Sequence, residues 1–128
     1  MTPESEEHLD KAREYLIKAR SLLDVMHYND EAGRAAYLAA FHAAQALISE
    51  RTGKTANTHE GVNSQFNLLT RGDARIDAEL RRFLPQAYNL KAIADYEAGP
   101  DAVVPLDRVE AAIATATRFL DCVAGVLA

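Results

Sequence analysis

Residues 34–66 read RAAYLAAFHAAQALISERTGKTANTHEGVNSQF, and the first half of that stretch decides the fold. Tyr37, Ala40, Ala44 and Leu47 recur at three- and four-residue spacing, with Leu38, Phe41 and Ile48 beside them. That spacing traces one wide apolar stripe along an α-helix, roughly Glu31 to Arg51. Alanine at so many inward positions lets neighbouring helix axes approach closely, which predicts the central helix of a bundle. Gly53 takes left-handed backbone at no steric cost and so predicts the end of that helix. Asn57, with Glu60 three residues on, reads as a capping box opening a short helix that carries Val62, Phe66 and Leu69.

Upstream, Leu9, Ala12, Leu16, Ala19, Leu23 and Met26 form a stripe that predicts a helix from about Ser5 to Met26. Tyr28-Asn29-Asp30 interrupts it and offers a cap for the central helix. Downstream, Arg71-Gly72-Asp73 marks a turn. Leu80, Phe83, Ala87, Leu90 and Ala94 mark a fourth helix, in which Pro85 predicts a kink or a helix start. A loop from Glu97 to Val104 contains Gly99-Pro100. Pro105 suits the first turn of a last helix with the stripe Leu106, Val109, Ile113, Ala116, Leu120, Val123 and Leu127. No strand alternation, repeat or low-complexity tract interrupts this pattern. The expected fold is all-α: an antiparallel up-and-down helical bundle of four long helices plus one short helix as a lid at one end, in a single domain spanning 1–128.

Composition narrows the function classes. At 128 residues the chain has the size of one domain and can bury a hydrophobic core without staples. The apolar fraction is 48%, yet no apolar run approaches the ~18 residues of a membrane helix. The opening MTPESEEHLD is acidic, the opposite of a signal peptide, and points to the cytoplasm and away from membranes. Cys122 stands alone, so neither an internal disulfide nor a cysteine-based metal site is available, and its place beside an apolar stripe gives it a packing role. A net charge of −5 argues against broad, sequence-blind binding to nucleic acid. Arg71, Arg75, Arg81 and Arg82 nevertheless gather in one short stretch, either a local basic face or a solvated helix face. There is no His-Glu-x-x-His pattern and no glycine-rich phosphate loop, so neither a metal nor a cofactor is expected.

The alanine-paved helix, the Thr58-His59-Glu60-Gly61 corner and the late Ala94-Asp95-Tyr96 together resemble the HEPN domain, a small all-α family tied to nucleotides and RNA. The resemblance runs from about Leu9 to the C-terminus. HEPN ribonucleases carry an Arg followed, after about four to six residues, by a His near the start of a late helix. Two such motifs meet across a dimer cleft, where Arg steadies the phosphate and His moves a proton. Here the late stretch from Tyr88 to Glu97 contains no histidine, and none follows His59. Lys91 grips a phosphate only as a point charge, and Tyr96, with an ordinary pKa near 10, is a poor base at neutral pH. The literal match, Arg20 with His27, lies on the first helix, away from the family's site.

The chain therefore resembles the HEPN branch that lacks the catalytic pair and keeps a basic stretch ending in Ala-Asp-Tyr. Members of that branch are often encoded beside a minimal nucleotidyltransferase in toxin–antitoxin-like modules. The resemblance implies a binding and interaction protein that forms a homodimer, docks a nucleotidyltransferase and contacts nucleotide or RNA. Two alternatives stand beside it. One is a divergent metal-independent endoribonuclease toxin, with His42 or His59 as base and Lys91 or Arg81 on the phosphate. The other is a purely structural assembly partner.

Seven residues are candidates for a site. His42 reads either as a core or interface histidine or as a ligand-facing one. His59 sits in the first turn of the third helix, where free backbone N–H groups favour anions, or else bonds the preceding loop. Asp95, at a helix C-terminus, opposes the macrodipole at a cost of roughly 0.3–1 kcal/mol. We expect it to be compensated by a hydrogen bond from His59 or from the Asn57–Gly61 corner, pinning the lid. Lys91 and Tyr96 lie on the same late helix, and Arg81 and Arg82 are candidate phosphate contacts.

Overall fold

The computed structural model describes residues 1–96 and 104–128. Among them are five α-helices: α1 (Pro3–Asp24), α2 (Asn29–Thr52), α3 (His59–Leu69), α4 (Ala78–Tyr96) and α5 (Leu106–Leu127). No strand occurs among the described residues. None of these helices is long and apolar enough to cross a membrane.

Local chemistry sets the helix ends, and several differ from the sequence expectation. The Thr2 hydroxyl accepts the Ser5 N–H at 3.2 Å and Pro3 occupies the first helical position, so α1 starts before Ser5; it stops at Asp24, short of Met26. Asn29 and Asp30 do not cap α2. Asn29 Nδ2 donates to the Val104 carbonyl at 3.0 Å, and Asp30 Oδ1 accepts the Val104 N–H at 3.1 Å, tying the start of α2 to the approach to α5. Gly53 ends α2 with φ of 69°, as its position predicts. The cap of α3 is Thr58 rather than Asn57, because its Oγ1 accepts the Gly61 N–H at 3.0 Å. A Cβ at position 61 would lie 2.8 Å from that same oxygen, so a side chain there would force the cap apart. Pro85 lies inside α4, which continues past it, so no helix starts there. The expected Gly99-Pro100 loop lies outside the described residues.

Cross-helix contacts give the topology. Ser5 Oγ donates to Glu50 at 2.8 Å and Tyr15 stacks on His42, so α1 and α2 run antiparallel. Arg34 meets Asp95, setting α4 antiparallel to α2, and Glu79 meets Arg118, setting α5 antiparallel to α4. The four long helices alternate up and down, and α3 lies across the α2–α4 connection. The central helix is α2, whose Ala32, Ala35, Ala36, Ala39, Ala40, Ala43, Ala44 and Ala46 are all buried. Small side chains on every inward face let three long neighbours close on one rod. Bulk comes from the partners: Phe66 of α3 stacks on Phe119 of α5 with centroids 4.9 Å apart, and Phe83 of α4 closes the cluster.

Candidate functional site at the α2–α3–α4 junction

Where α3 starts, its corner leans on α2 and α4. Thr58, capping α3, fixes the backbone so that His59 in the first turn points back across the junction. Its Nδ1 lies 2.8 Å from the hydroxyl of Tyr37, itself almost wholly buried on α2. Its ring stacks on Tyr88 of α4, with centroids 4.0 Å apart and planes 18° from parallel. Tyr37 meets the edge of Tyr88 at 5.6 Å, so the three rings form one closed cluster. Lys91, one turn beyond Tyr88, holds its ammonium 5.9 Å from the Tyr88 ring and 5.8 Å from that of Tyr96. Together with Leu38, Phe41 and Asn57 these groups line a groove of about 300 Å3.

The electrostatics of this groove follow from burial and from one carboxylate. Burial pushes the Tyr37 phenol well above its ordinary value, with Tyr88 and Glu60 adding to the rise, so the hydroxyl keeps its proton. Burial lowers the pKa of His59, against the attraction of Glu60, so its ring is neutral at pH 7. A protonated phenol that donates to Nδ1 fixes that neutral ring as its Nε2–H tautomer. Above the groove, Asp95 accepts from Lys91 Nζ at 2.5 Å and from Arg34 Nε at 2.8 Å. The Lys91 hydrogen bond holds the Asp95 carboxyl below the ordinary range despite partial burial, and Arg34 adds to it. The same bond raises the Lys91 ammonium.

Asp95 therefore does not pin the lid. Both its oxygens are engaged by Arg34 and Lys91, and the His59 nitrogen facing inward is engaged by Tyr37. The physical reason is charge: two cations offer a helix-terminal carboxylate more than a neutral imidazole does, and they also offset the unfavourable macrodipole. What ties the α3 corner to α2 is Tyr37 at His59, together with Gln45, whose Nε2 donates to the Ala56 carbonyl at 2.9 Å just before it.

The remaining candidates are dispersed. His42 lies on the other side of α2, stacked on Tyr15 at 5.3 Å and facing His8 at 6.4 Å, with no hydrogen-bond partner for its Nδ1. Burial lowers its pKa. Tyr96 is 80% exposed and touches the site through Lys91, whose ammonium lies over its ring. The Arg81 guanidinium is engaged by the Thr70 hydroxyl, at 3.0 Å, and by the Thr70 carbonyl, so it braces the α3–α4 turn. Arg82 is exposed beside that turn. Arg20 pairs with Glu110 at 3.0 Å and with Asp24, and His27 sits in the following loop at φ 58°, so the literal Arg–His match builds no site. Cys122 is half-buried and donates to the Arg75 carbonyl at 3.1 Å. No group of three metal-ligating side chains converges among the described residues.

Tyr37, Tyr88 and Arg34 belong to the site and were not singled out by sequence reasoning. For Tyr88 a signal existed: with Lys91 and Asp95 it steps by three and four along one face of α4. Tyr37 carried only the signal of a core residue.

Comparison with known proteins agrees with this architecture. A family model described as the HEPN domain matches residues 5–126. A UPF0332 protein of Gloeobacter violaceus is 28% identical over 120 residues, which cover 94% of this chain and 93% of that protein.

Proposed function

The chain belongs to the HEPN domain family, and on that premise we propose that it is a binding and interaction module that contacts nucleotide or RNA without cleaving it. The observation that carries this reading is the state of His59. Its Nδ1 is occupied by Tyr37 and one face of its ring is covered by Tyr88, and as the Nε2–H tautomer its remaining nitrogen carries a proton instead of accepting one. The two nearest cations, Arg34 and Lys91, are both bound to Asp95. What the groove does offer suits recognition: aromatic surface on Phe41 and on the part of Tyr88 that His59 leaves uncovered, the Asn57 amide for hydrogen bonding, and for a phosphate the Lys91 N–H bonds that Asp95 does not take. This mix of aromatic and polar lining also favours a ligand over a purely structural cleft.

In this reading His59, Lys91 and Asp95 form the site with Tyr88. Arg34 and Asp95 set how much positive charge Lys91 presents. The module works as a homodimer in the cytoplasm, as one domain spanning 1–128, and docks a nucleotidyltransferase in a toxin–antitoxin-like pair. The direct test is fluorescence anisotropy of a labelled single-stranded RNA oligonucleotide against the wild type and Tyr88→Ala. Loss of a stacking ring costs ~1–3 kcal/mol of binding. Unchanged affinity in the variant would remove the groove from the binding surface.

A further inference from the structure

A second groove, of about 830 Å3, opens at the other end of the seam between α3 and α4. Its lining includes Leu68, Arg71, Arg81, Arg82 and Pro85 and contains no carboxylate. It gathers three arginines on a chain that carries 19 Asp and Glu against 14 Lys and Arg. The neighbouring arginines are neutralised: Arg75 pairs with Asp73, and Arg118 with Asp77 and Glu79. Arg71 and Arg82 are exposed and form no ion pair among the described residues. Arg81, anchored on Thr70, fixes the turn that carries Arg71 relative to the helix that carries Arg82. Two unpaired guanidinium forks beside a rigid turn are suited to phosphate oxygens, which they grip in pairs.

Geometry selects a polymer as the occupant. α3 and α4 run antiparallel: His59 at the start of α3 meets Tyr88, while Leu68 near its end faces the same groove as Arg82. Along α4, Arg82, Pro85, Tyr88 and Lys91 recur every three residues, each step turning about 60° around the axis, so a path from one groove to the other winds half way round the helix. At 1.5 Å rise per residue, Arg82 and Lys91 are about 13 Å apart along the axis. That span is longer than one nucleotide and within reach of a short oligonucleotide. Exposed Leu68, at 52%, and Pro85 give a ribose or base an apolar floor between the charged groups.

We infer that the α3–α4 seam is a track for single-stranded RNA, in which Arg71 and Arg82 bind backbone phosphates beyond the Tyr88 groove. This rests on the RNA-contacting reading above and adds a second contact to it. The test is a salt titration of labelled RNA oligonucleotide binding to wild type, Arg71→Ala/Arg82→Ala and Tyr88→Ala, with Arg13→Ala on α1 as a control for net charge. The double variant is expected to lose at least tenfold in affinity. Its log–log salt slope becomes shallower by ~1.4, about 0.7 for each phosphate contact removed. Arg13→Ala stays close to wild type. An unchanged slope in the double variant, with Tyr88→Ala weakened, overturns the track and leaves the Tyr88 groove standing. No RNA binding by the wild type overturns both. Tight binding of a poly-glutamate peptide that is lost in the double variant, with RNA affinity unaffected, assigns the groove to an acidic protein and overturns the RNA track.

Discussion

Replacing Tyr37 by Phe isolates a contact on which the α3 corner depends. The ring is retained, so the buried volume and the edge contact with Tyr88 stay, and only the 2.8 Å bond to His59 Nδ1 is removed. A single hydrogen bond of this kind contributes about 1 kcal/mol net. For a chain of this length that is a fall in Tm of roughly 4 °C. His59→Ala costs more. It removes the same bond and the stack on Tyr88, worth ~0.5–1.5 kcal/mol. It also strands the Tyr37 hydroxyl at a position only 2% exposed, a penalty of ~1–3 kcal/mol. The stack and the stranded hydroxyl, whose penalty already contains the lost bond, together come to about 1.5–4.5 kcal/mol. Urea denaturation of wild type, both single variants and the double variant closes a thermodynamic cycle whose coupling energy should be about 1–3 kcal/mol. A coupling near zero, with Tyr37→Phe as stable as wild type, would refute the claim that Tyr37 fastens the corner.

Other perturbations separate the remaining contacts. Asp95→Asn keeps the shape but removes the charge that binds Arg34 and Lys91. Stability should drop by less than ~1 kcal/mol, since these pairs are partly exposed. RNA affinity should rise several-fold with a steeper salt dependence; a weaker complex would contradict the site's charge assignment. Thr58→Ala and Gly61→Ala both break the α3 cap, by deleting its acceptor or by placing a Cβ 2.8 Å from it. Each should cost ~1 kcal/mol, measured as loss of amide protection across α3. On acidification, burial holds the folded-state pKa of His42 and His59 below their ordinary 6.5. The unfolded chain therefore takes up protons first, so the stability these residues contribute is complete above about pH 6.5 and falls as pH drops below it. Chemical denaturation between pH 7.5 and 5 should show that fall, and His42→Gln/His59→Gln should flatten it.

The architecture was legible because its signals are periodic and local. The alanine stripe of α2 could be buried only by helices on several sides, and α1, α4 and α5 supply them. The left-handed Gly53 followed from a rule about one residue's backbone freedom. Caps were less legible, because neighbouring polar residues compete for one role. Asn57 and Thr58 each had a suitable side chain, and only the path of the chain selected Thr58. Asn29 and Asp30 were drawn away by Val104, some 75 residues distant. In the α4 half of the site Lys91 and Asp95 were both legible as candidates, but the sequence reading sent Asp95 to His59 and overlooked its pairing with Lys91 at four-residue spacing. Its other half was not. That Asp95 prefers Arg34 to His59, and that His59 finds Tyr37, depends on how α2, α3 and α4 are rotated against one another, which no local pattern encodes.

The central claim is that this chain holds RNA and leaves it whole. It is tested most directly by incubating the purified protein with end-labelled single-stranded RNA and reading binding and strand integrity from the same samples. We predict a retained complex with full-length RNA, for the wild type and for His42→Ala and His59→Ala alike. Cleavage by the wild type that disappears on substituting His59 or His42 would contradict the account.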